Sequence, residues 1–433
     1  MRRIAIVSEH ASPLALAGSV DSGGQNIYVA QTARHFAALG HQVDVYTRMD
    51  DPLLPEVVPW QAGVRIVHVP AGPPRRVPKE DLLPYMDEFG AWLLRRFGRE
   101  PGGYDVVHAN FFMSALAALP AARRHGIPLA VTFHALGRVR RRHQREADRF
   151  PDSRFEIEDR IVAQADRIVA ECPQDRQDLI ELYGADPARI DVVPCGYDPA
   201  EMGPMDQDLA QARLGWRGDA FHVLQLGRMV PRKGVDNVIE AVALLRRRHG
   251  VDARLCVVGG DSERPCEIAT PEIGRLRDIA REQGVLEHVR FEGRRLRTQL
   301  RDYYCAADVF ATTPWYEPFG ITPVEAMACS RPVVGADTGG IRYTVEDGRT
   351  GFLVPPRDPA ALAGRLAELA RDRALARRMG RAGARRARRW FTWERVSREL
   401  LRVFGRLDYA AGTASRPAAP APVQASAALR LSA

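Results

Sequence analysis

The stretch Glu317-Pro318-Phe319-Gly320-Ile321-Thr322-Pro323-Val324-Glu325 follows an apolar run at 309–313 and leads into Ala326-Met327-Ala328. A strand, a glycine-bearing turn and a helix start therefore succeed one another, the step from which helix-covered parallel sheets are built. Gly320 lets the backbone come close to a ligand, and the unpaired amides that open a helix form a site for an anion such as a diphosphate. The helix dipole contributes only about 0.3–1 kcal/mol, and up to about 2 when partly buried. Cationic side chains are needed to neutralise a diphosphate leaving group.

Working outward, Gly227-Arg228-Met229-Val230-Pro231-Arg232-Lys233-Gly234 supplies such cations between a buried strand at 221–226 and a helix at 235–248. Arg228 can grip phosphate oxygens through two nitrogens, and Lys233 adds a compact point charge. Of 62 Lys plus Arg residues only Lys79 and Lys233 are lysine; either both positions require an ammonium rather than a guanidinium, or the two lysines survive by chance. Together Arg228 and Lys233 can stabilise a departing nucleoside diphosphate without a metal; the alternative is a solvated basic turn.

The same alternation runs through the whole chain. Strand-like runs fall at 4–7, 43–46, 64–69, 106–108, 129–133, 168–170 and 190–194, with amphipathic stretches at 27–39 and 116–125 ended by Gly40 and Gly126. A polar, proline-bearing stretch follows Gly196-Tyr197-Asp198, and the alternation then restarts at 221. At 433 residues the chain exceeds the roughly 250–300 residues at which a single core stops growing. The expected fold is α/β, with two doubly wound Rossmann-like domains, 1–200 and 201–390, facing across a cleft. A helix at 391–410 returns toward the first domain, and an Ala/Pro/Ser-rich stretch, 411–433, is expected to be disordered. Ligands of open α/β sheets bind at the carboxyl ends of the strands, so loops of both halves should build the site.

In the first half, Asp21-Ser22-Gly23-Gly24-Gln25-Asn26 separates the first strand from the first helix as a glycine-opened loop. It lacks the G-x-G-x-x-G dinucleotide fingerprint. His134 ends the run Val131-Thr132-Phe133, and Gly137-Arg138-Val139-Arg140-Arg141-Arg142-His143 follows as a basic loop, placed either to draw in an anionic acceptor or simply to be solvated. Asp206-Gln207-Asp208 matches a D-x-D metal motif in form but lies in the polar linker, so no metal is expected. The six cysteines form no C-x-x-C pair and are expected to be reduced and buried. No apolar run approaches the length of a membrane span, and the N-terminus is too short in apolar residues for a signal peptide. A cytoplasmic protein is expected. The net charge of +8 comes without an aromatic-interleaved basic module, so phosphate-bearing small molecules are preferred over nucleic acid as partners.

These residues resemble the retaining, family 4 glycosyltransferases of two-domain GT-B architecture, over nearly the whole chain. Glu317 and Glu325 are similar to that family's E-x7-E motif. The resemblance implies that Glu317 faces the donor sugar, Glu325 the ribose, and Phe319, Gly320 and Ile321 offer backbone amides. It makes Arg228 and Lys233 the diphosphate-binding pair, counts Gly259 in the donor site, and puts His134 beside the transferred sugar. His134, Arg228, Lys233 and Glu317 form the implied catalytic set. The segments 69–84 and 134–138 resemble sucrose-phosphate and sucrose synthases, and His10-Ala11-Ser12-Pro13-Leu14-Ala15 resembles the inositol-phosphate N-acetylglucosaminyltransferases. The acceptor site implied comprises Gly23, Gly24, Gln25, Asn26, Lys79 and Arg154. Phe111 and Ala135 stand where the latter enzymes have tyrosine and threonine, removing two hydroxyl donors to an acceptor phosphate. The activity implied is retaining transfer of a hexose from a nucleotide sugar, UDP-glucose, to a small sugar or polyol phosphate. The nucleotide sugar acts as co-substrate and no further cofactor is implied. A nucleotide-sugar sensor without turnover, and a transferase using a lipid acceptor at a membrane surface, remain open at this point.

Overall fold

Strands covered by helices on both faces are apolar on both faces, which is why the first of them reads Ile4-Ala5-Ile6-Val7 without a polar interruption and is fully buried. The computed structural model describes residues 1–15, 23–216 and 218–413, with side chains to residue 407. Asp21 and Ser22 of the first loop and residues 414–433 of the expected tail lie outside the described residues.

The first sheet contains β1 (Arg3–Val7), β2 (Gln42–Arg48), β3 (Val57–Gln61), β4 (Val64–Val69), β5 (Val106–Asn110), β6 (Leu129–Thr132), β7 (Arg167–Ala170) and β8 (Ile190–Val192). Their spatial order is β3-β4-β2-β1-β5-β6-β7-β8, parallel except for the antiparallel pair β3 and β4. Its helices are α1 (Gly24–Ala38), α2 (Met86–Arg99), α3 (Phe112–Arg124), α4 (Gly137–Gln144), α5 (Ser153–Gln164) and α6 (Pro173–Tyr183). After α7 (Gln207–Leu214), the second sheet comprises β9 (Phe221–Leu226), β10 (Ala253–Val258), β11 (Val289–Gly293), β12 (Val309–Thr312), β13 (Val333–Ala336) and β14 (Gly351–Val354). Its order, β11-β10-β9-β12-β13-β14, is all parallel and corresponds to the 3-2-1-4-5-6 order of dinucleotide-binding folds. Helices α8 (Val235–His249), α9 (Pro271–Glu282), α10 (Arg297–Ala306), α11 (Ile321–Ala328), α12 (Gly339–Thr344), α13 (Pro359–Arg371) and α14 (Arg373–Trp390) cover it.

The last helix, α15 (Trp393–Thr413), crosses back and packs on α1 of the first domain. Phe404 meets Phe36 and His108 at ring separations of 5.8 and 5.5 Å, and the fully buried Trp393 meets Tyr28 at 5.7 Å. Burying a side chain of this size contributes about 1.5–3 kcal/mol, so the return helix fastens the two domains to each other.

Several elements differ from the sequence expectation. Strand β3 carries Pro59 and lacks clean alternation, features that an edge position tolerates because its outer N–H groups need no partner. Gly24, Gln25 and Asn26 form the first turn of α1 rather than a loop. Asn26 Oδ1 accepts from Gly23 N at 3.0 Å, which caps the turn. The basic run after Leu136 is the helix α4, without an apolar stripe, held instead by carboxylates of its own domain. Arg138 pairs with Asp159 at 2.5 Å, Arg140 with Asp148 at 2.6 Å and Arg141 with Asp152 at 2.7 Å. Among the described residues no helix is long and apolar enough to cross a membrane.

Candidate active site

In both sheets the strand order reverses beside the first strand of the half, β1 against β5 and β9 against β12, and the loops leaving these strands face one cleft. His10 follows β1, Phe111 follows β5, His134 follows β6 and Glu171 follows β7. From the other side come Arg228 after β9, Gly259 after β10 and Glu317 after β12. All seven line the same cavity. The start of α1 meets the start of α11 across it: a methyl group at Gly24 would lie 3.5 Å from Ile321 Cδ1, and one at Gly23 would lie 3.6 Å from Arg228 Nε.

The second-domain wall of the cavity is built around Lys233, whose ammonium pairs with the Glu317 carboxylate. Burial lowers the Lys233 pKa to about 8, against the opposing pull of Glu317. Burial also drives the Glu317 carboxyl up, but Lys233, Arg232 and Arg228 outweigh it and hold it below the usual carboxylate value. Gly320 sits at the N-cap of α11 with φ 90°. Pro323 falls in the first turn, where its missing N–H leaves no intrahelical bond unmade. Glu325, buried one turn further on, accepts from Arg297 Nη1 at 2.7 Å and from Tyr304 Oη at 2.9 Å. At Gly259 (φ 143°) a Cβ would stand 1.9 Å from the carbonyl oxygen of Gly227. Only glycine lets the β9 and β10 loops meet there.

A diphosphate placed beside Lys233 would bind in a pH-dependent way. Above about pH 8 the free protein loses this charge, whereas a bound diphosphate favours the ammonium, so binding takes up a proton. The Kd of a nucleoside diphosphate is expected to rise above that pH, approaching tenfold per unit. Calorimetry between about pH 7 and 9, in buffers of differing ionisation enthalpy, checks this. A Kd constant over that range, with no proton uptake, contradicts it.

On the opposite wall His134 has φ 58°, and both of its ring nitrogens are engaged. Nδ1 lies 2.9 Å from Glu171 Oε1 and Nε2 lies 3.0 Å from Asn110 Oδ1. Gln25 Nε2 donates to Ser8 Oγ at 3.2 Å and to Asn110 O at 3.1 Å, tying the start of α1 to the ends of β1 and β5. Lys79 faces the same space, and Glu80 joins it to Arg140, with 3.3 Å to each. Of the residues expected at the acceptor, Arg154 is the exception. It does not line the cavity. Its guanidinium is fully buried, pairs with Glu158 at 2.8 Å, and stacks on Phe111, Phe112 and Phe150 at 5.1, 4.5 and 4.7 Å. With phenylalanine at 111, an aromatic ring stands there without a hydroxyl to offer. The Asp206 carboxylate caps α7, accepting from Leu209 N at 2.9 Å.

Residues without a site role in the sequence reading also line the cavity: Glu171, His10, Arg297 and Tyr316. Buried Glu9 holds His10 Nδ1 at 2.7 Å. Tyr316 stacks on His143 and accepts from Gln144 Nε2 at 2.5 Å, linking α4 to the loop after β12 across the cleft. For Glu171 and His10 a signal existed, since each follows a buried strand run on the carboxyl side.

Residues 22–201 match the family described as Glycosyltransferase Family 4, and residues 206–386 match Glycosyl transferases group 1. The D-inositol 3-phosphate glycosyltransferase 1 of Catenulispora acidiphila is 40% identical over 407 residues, covering 93% of this chain and 95% of the relative. The D-inositol 3-phosphate glycosyltransferase of Actinosynnema mirum is 38% identical over 411 residues, covering 94% and 97%. Among solved structures, the sucrose-phosphate synthase of Thermosynechococcus elongatus matches with a TM-score of 0.86 at 30% identity, covering 95% of this chain and all of that one.

Proposed function

The chain belongs to the family 4 glycosyltransferases of GT-B architecture, and on that footing we propose that it transfers a hexose from UDP-glucose, with retention, to a small phosphorylated sugar or polyol. The observation that carries this reading is the assembly of Arg228, Lys233 and Glu317 at the opening of α11. A leaving diphosphate set there would meet an ammonium, a guanidinium and a helix N-terminus. These fixed charges favour the transition state over the ground state because negative charge grows on the leaving oxygen as the sugar bond breaks. Charge neutralisation by two side chains supports a reaction without a bound metal. The departing phosphate oxygen then accepts the proton of the acceptor hydroxyl that attacks from the same face.

On the acceptor side, the relatives named above act, by their names, on inositol 3-phosphate or make sucrose phosphate, which supports a phosphorylated acceptor. Here the cations facing that space are Lys79 and Arg140, with the Phe111 ring covering Arg154. The phosphate would therefore sit against Lys79 and Arg140.

A thermal-shift panel of UDP, ADP and GDP sugars tests the donor. Near 100-fold excess over Kd, the preferred ligand adds about 2.7 kcal/mol of stability. UDP sugars are expected to raise Tm most. Equal shifts from all three bases, or none, contradict the assignment.

A further inference from the structure

Glu171 stands at the carboxyl end of β7, immediately before α6, and is buried at the cavity wall. Its Oε1 lies 2.9 Å from His134 Nδ1 and also accepts from Cys195 Sγ at 2.9 Å. On the far side of the ring, Asn110 presents Oδ1 to Nε2 at 3.0 Å. The orientation of that amide is set by its own nitrogen, which donates to His108 O at 3.2 Å, so turning it over would bring two carbonyl oxygens together. His134 thus faces an oxygen acceptor at each nitrogen. A neutral imidazole has one N–H and satisfies one of them; the imidazolium satisfies both.

The other acidic groups around Glu171 keep their protons at neutral pH. Burial, with the charge of Glu171, pushes the Asp175 carboxyl up to about 8, so it keeps its proton at neutral pH while accepting Glu171 N at 3.0 Å. Burial raises the Cys195 thiol and the Tyr28 phenol, and Tyr28 packs edge-on to His134 at 4.8 Å. Burial, with His134 close by, lowers His108 to about 3, which keeps its ring neutral.

We propose that Glu171 is a positioning residue for sugar transfer, holding His134 as a fixed imidazolium whose Nε2 is a hydrogen-bond donor toward the donor sugar's hydroxyl groups. Asn110 Oδ1 occupies that donor in the absence of sugar and yields it when sugar enters. The proposal rests on the transferase reading for its consequence, though not for its structural content. Without the carboxylate, the ring reverts to a neutral tautomer, and Nε2 loses its proton or Nδ1 its partner.

Glu171→Gln keeps the shape and an oxygen acceptor while removing the charge. The expected result is a fall in kcat of about 10²-fold, in the range for loss of one transition-state donor. UDP affinity and Tm are expected to stay at wild-type values. A purely structural Glu171 would instead tolerate glutamine, leaving kcat unchanged, and that outcome overturns the proposal. A second measurement is independent of turnover. The ¹⁵N resonances of labelled histidine, with His134 assigned through His134→Asn, should show both nitrogens protonated at neutral pH in the wild type and only one in Glu171→Gln. A neutral His134 ring in the wild type overturns the proposal even if transfer is observed. A doubly protonated ring without transfer from any UDP sugar sustains the pairing and counts against the transferase reading alone.

Discussion

Lys233→Ala lowers kcat for sugar transfer by about 10²–10³-fold, the loss associated with removing one preorganised group from a developing oxyanion. Two consequences of the geometry combine in this variant. The ammonium proposed to meet the leaving diphosphate disappears, and the Glu317 carboxylate loses one of the cations that hold it below its usual pKa. Arg228 and Arg232 remain, so nucleotide binding weakens without vanishing. Lys233→Arg restores only part of the rate, because a planar fork does not place its charge where a compact ammonium does. Steady-state kinetics with a Tm control measure both variants. Wild-type turnover in a folded Lys233→Ala protein contradicts the role given to this residue.

Gly340→Ala is expected to impair donor binding from outside the cavity lining. The Gly340 N–H donates to Glu317 O at 2.9 Å, and a Cβ at this position would lie 2.3 Å from both Cα and O of Phe319. These are backbone atoms, so no rotamer change relieves the clash, and the loop carrying Glu317, Phe319 and Gly320 must retreat. Overpacking of this kind costs about 1–3 kcal/mol in stability. Displacing the amides and Glu317 together should weaken nucleotide-sugar binding more than tenfold, which is about 1.4 kcal/mol. Gly364→Ala, in α13 with nothing within 4 Å of its Cβ, is the control and should be stabilising by about 1 kcal/mol. Equal donor affinity in Gly340→Ala and wild type contradicts the packing argument.

Much of this arrangement was legible in the chain because parallel strands buried on both faces leave continuous apolar runs. Chemistry at their carboxyl ends then follows within a few residues, as with Arg228 and Lys233 after β9 or Glu317 after β12. What escaped were contacts that close over distance. Glu171 meets His134 across 37 positions and Arg297 meets Glu325 across 28, and neither pair has a local pattern. The helix α4 was hidden because its stability comes from carboxylates elsewhere in the fold rather than from an apolar stripe. Arg154 misled for the opposite reason. An arginine is expected at the surface or on a ligand, and full burial against three phenylalanine rings with Glu158 as counterion is an arrangement that residue type alone argues against. Lys79, one of two lysines in an arginine-dominated chain, does line the cavity, from the first-domain side.

The proposed reaction cleaves a UDP-hexose in the cleft between the two sheets, with retention and without a bound metal. Proton NMR of wild-type protein mixed with UDP-glucose, a chelator and a panel of sugar and polyol phosphates observes this directly. The account predicts loss of UDP-glucose, release of UDP and a new anomeric signal of the same α configuration as the donor. A β-configured product, or UDP-glucose left intact across the whole panel, contradicts it.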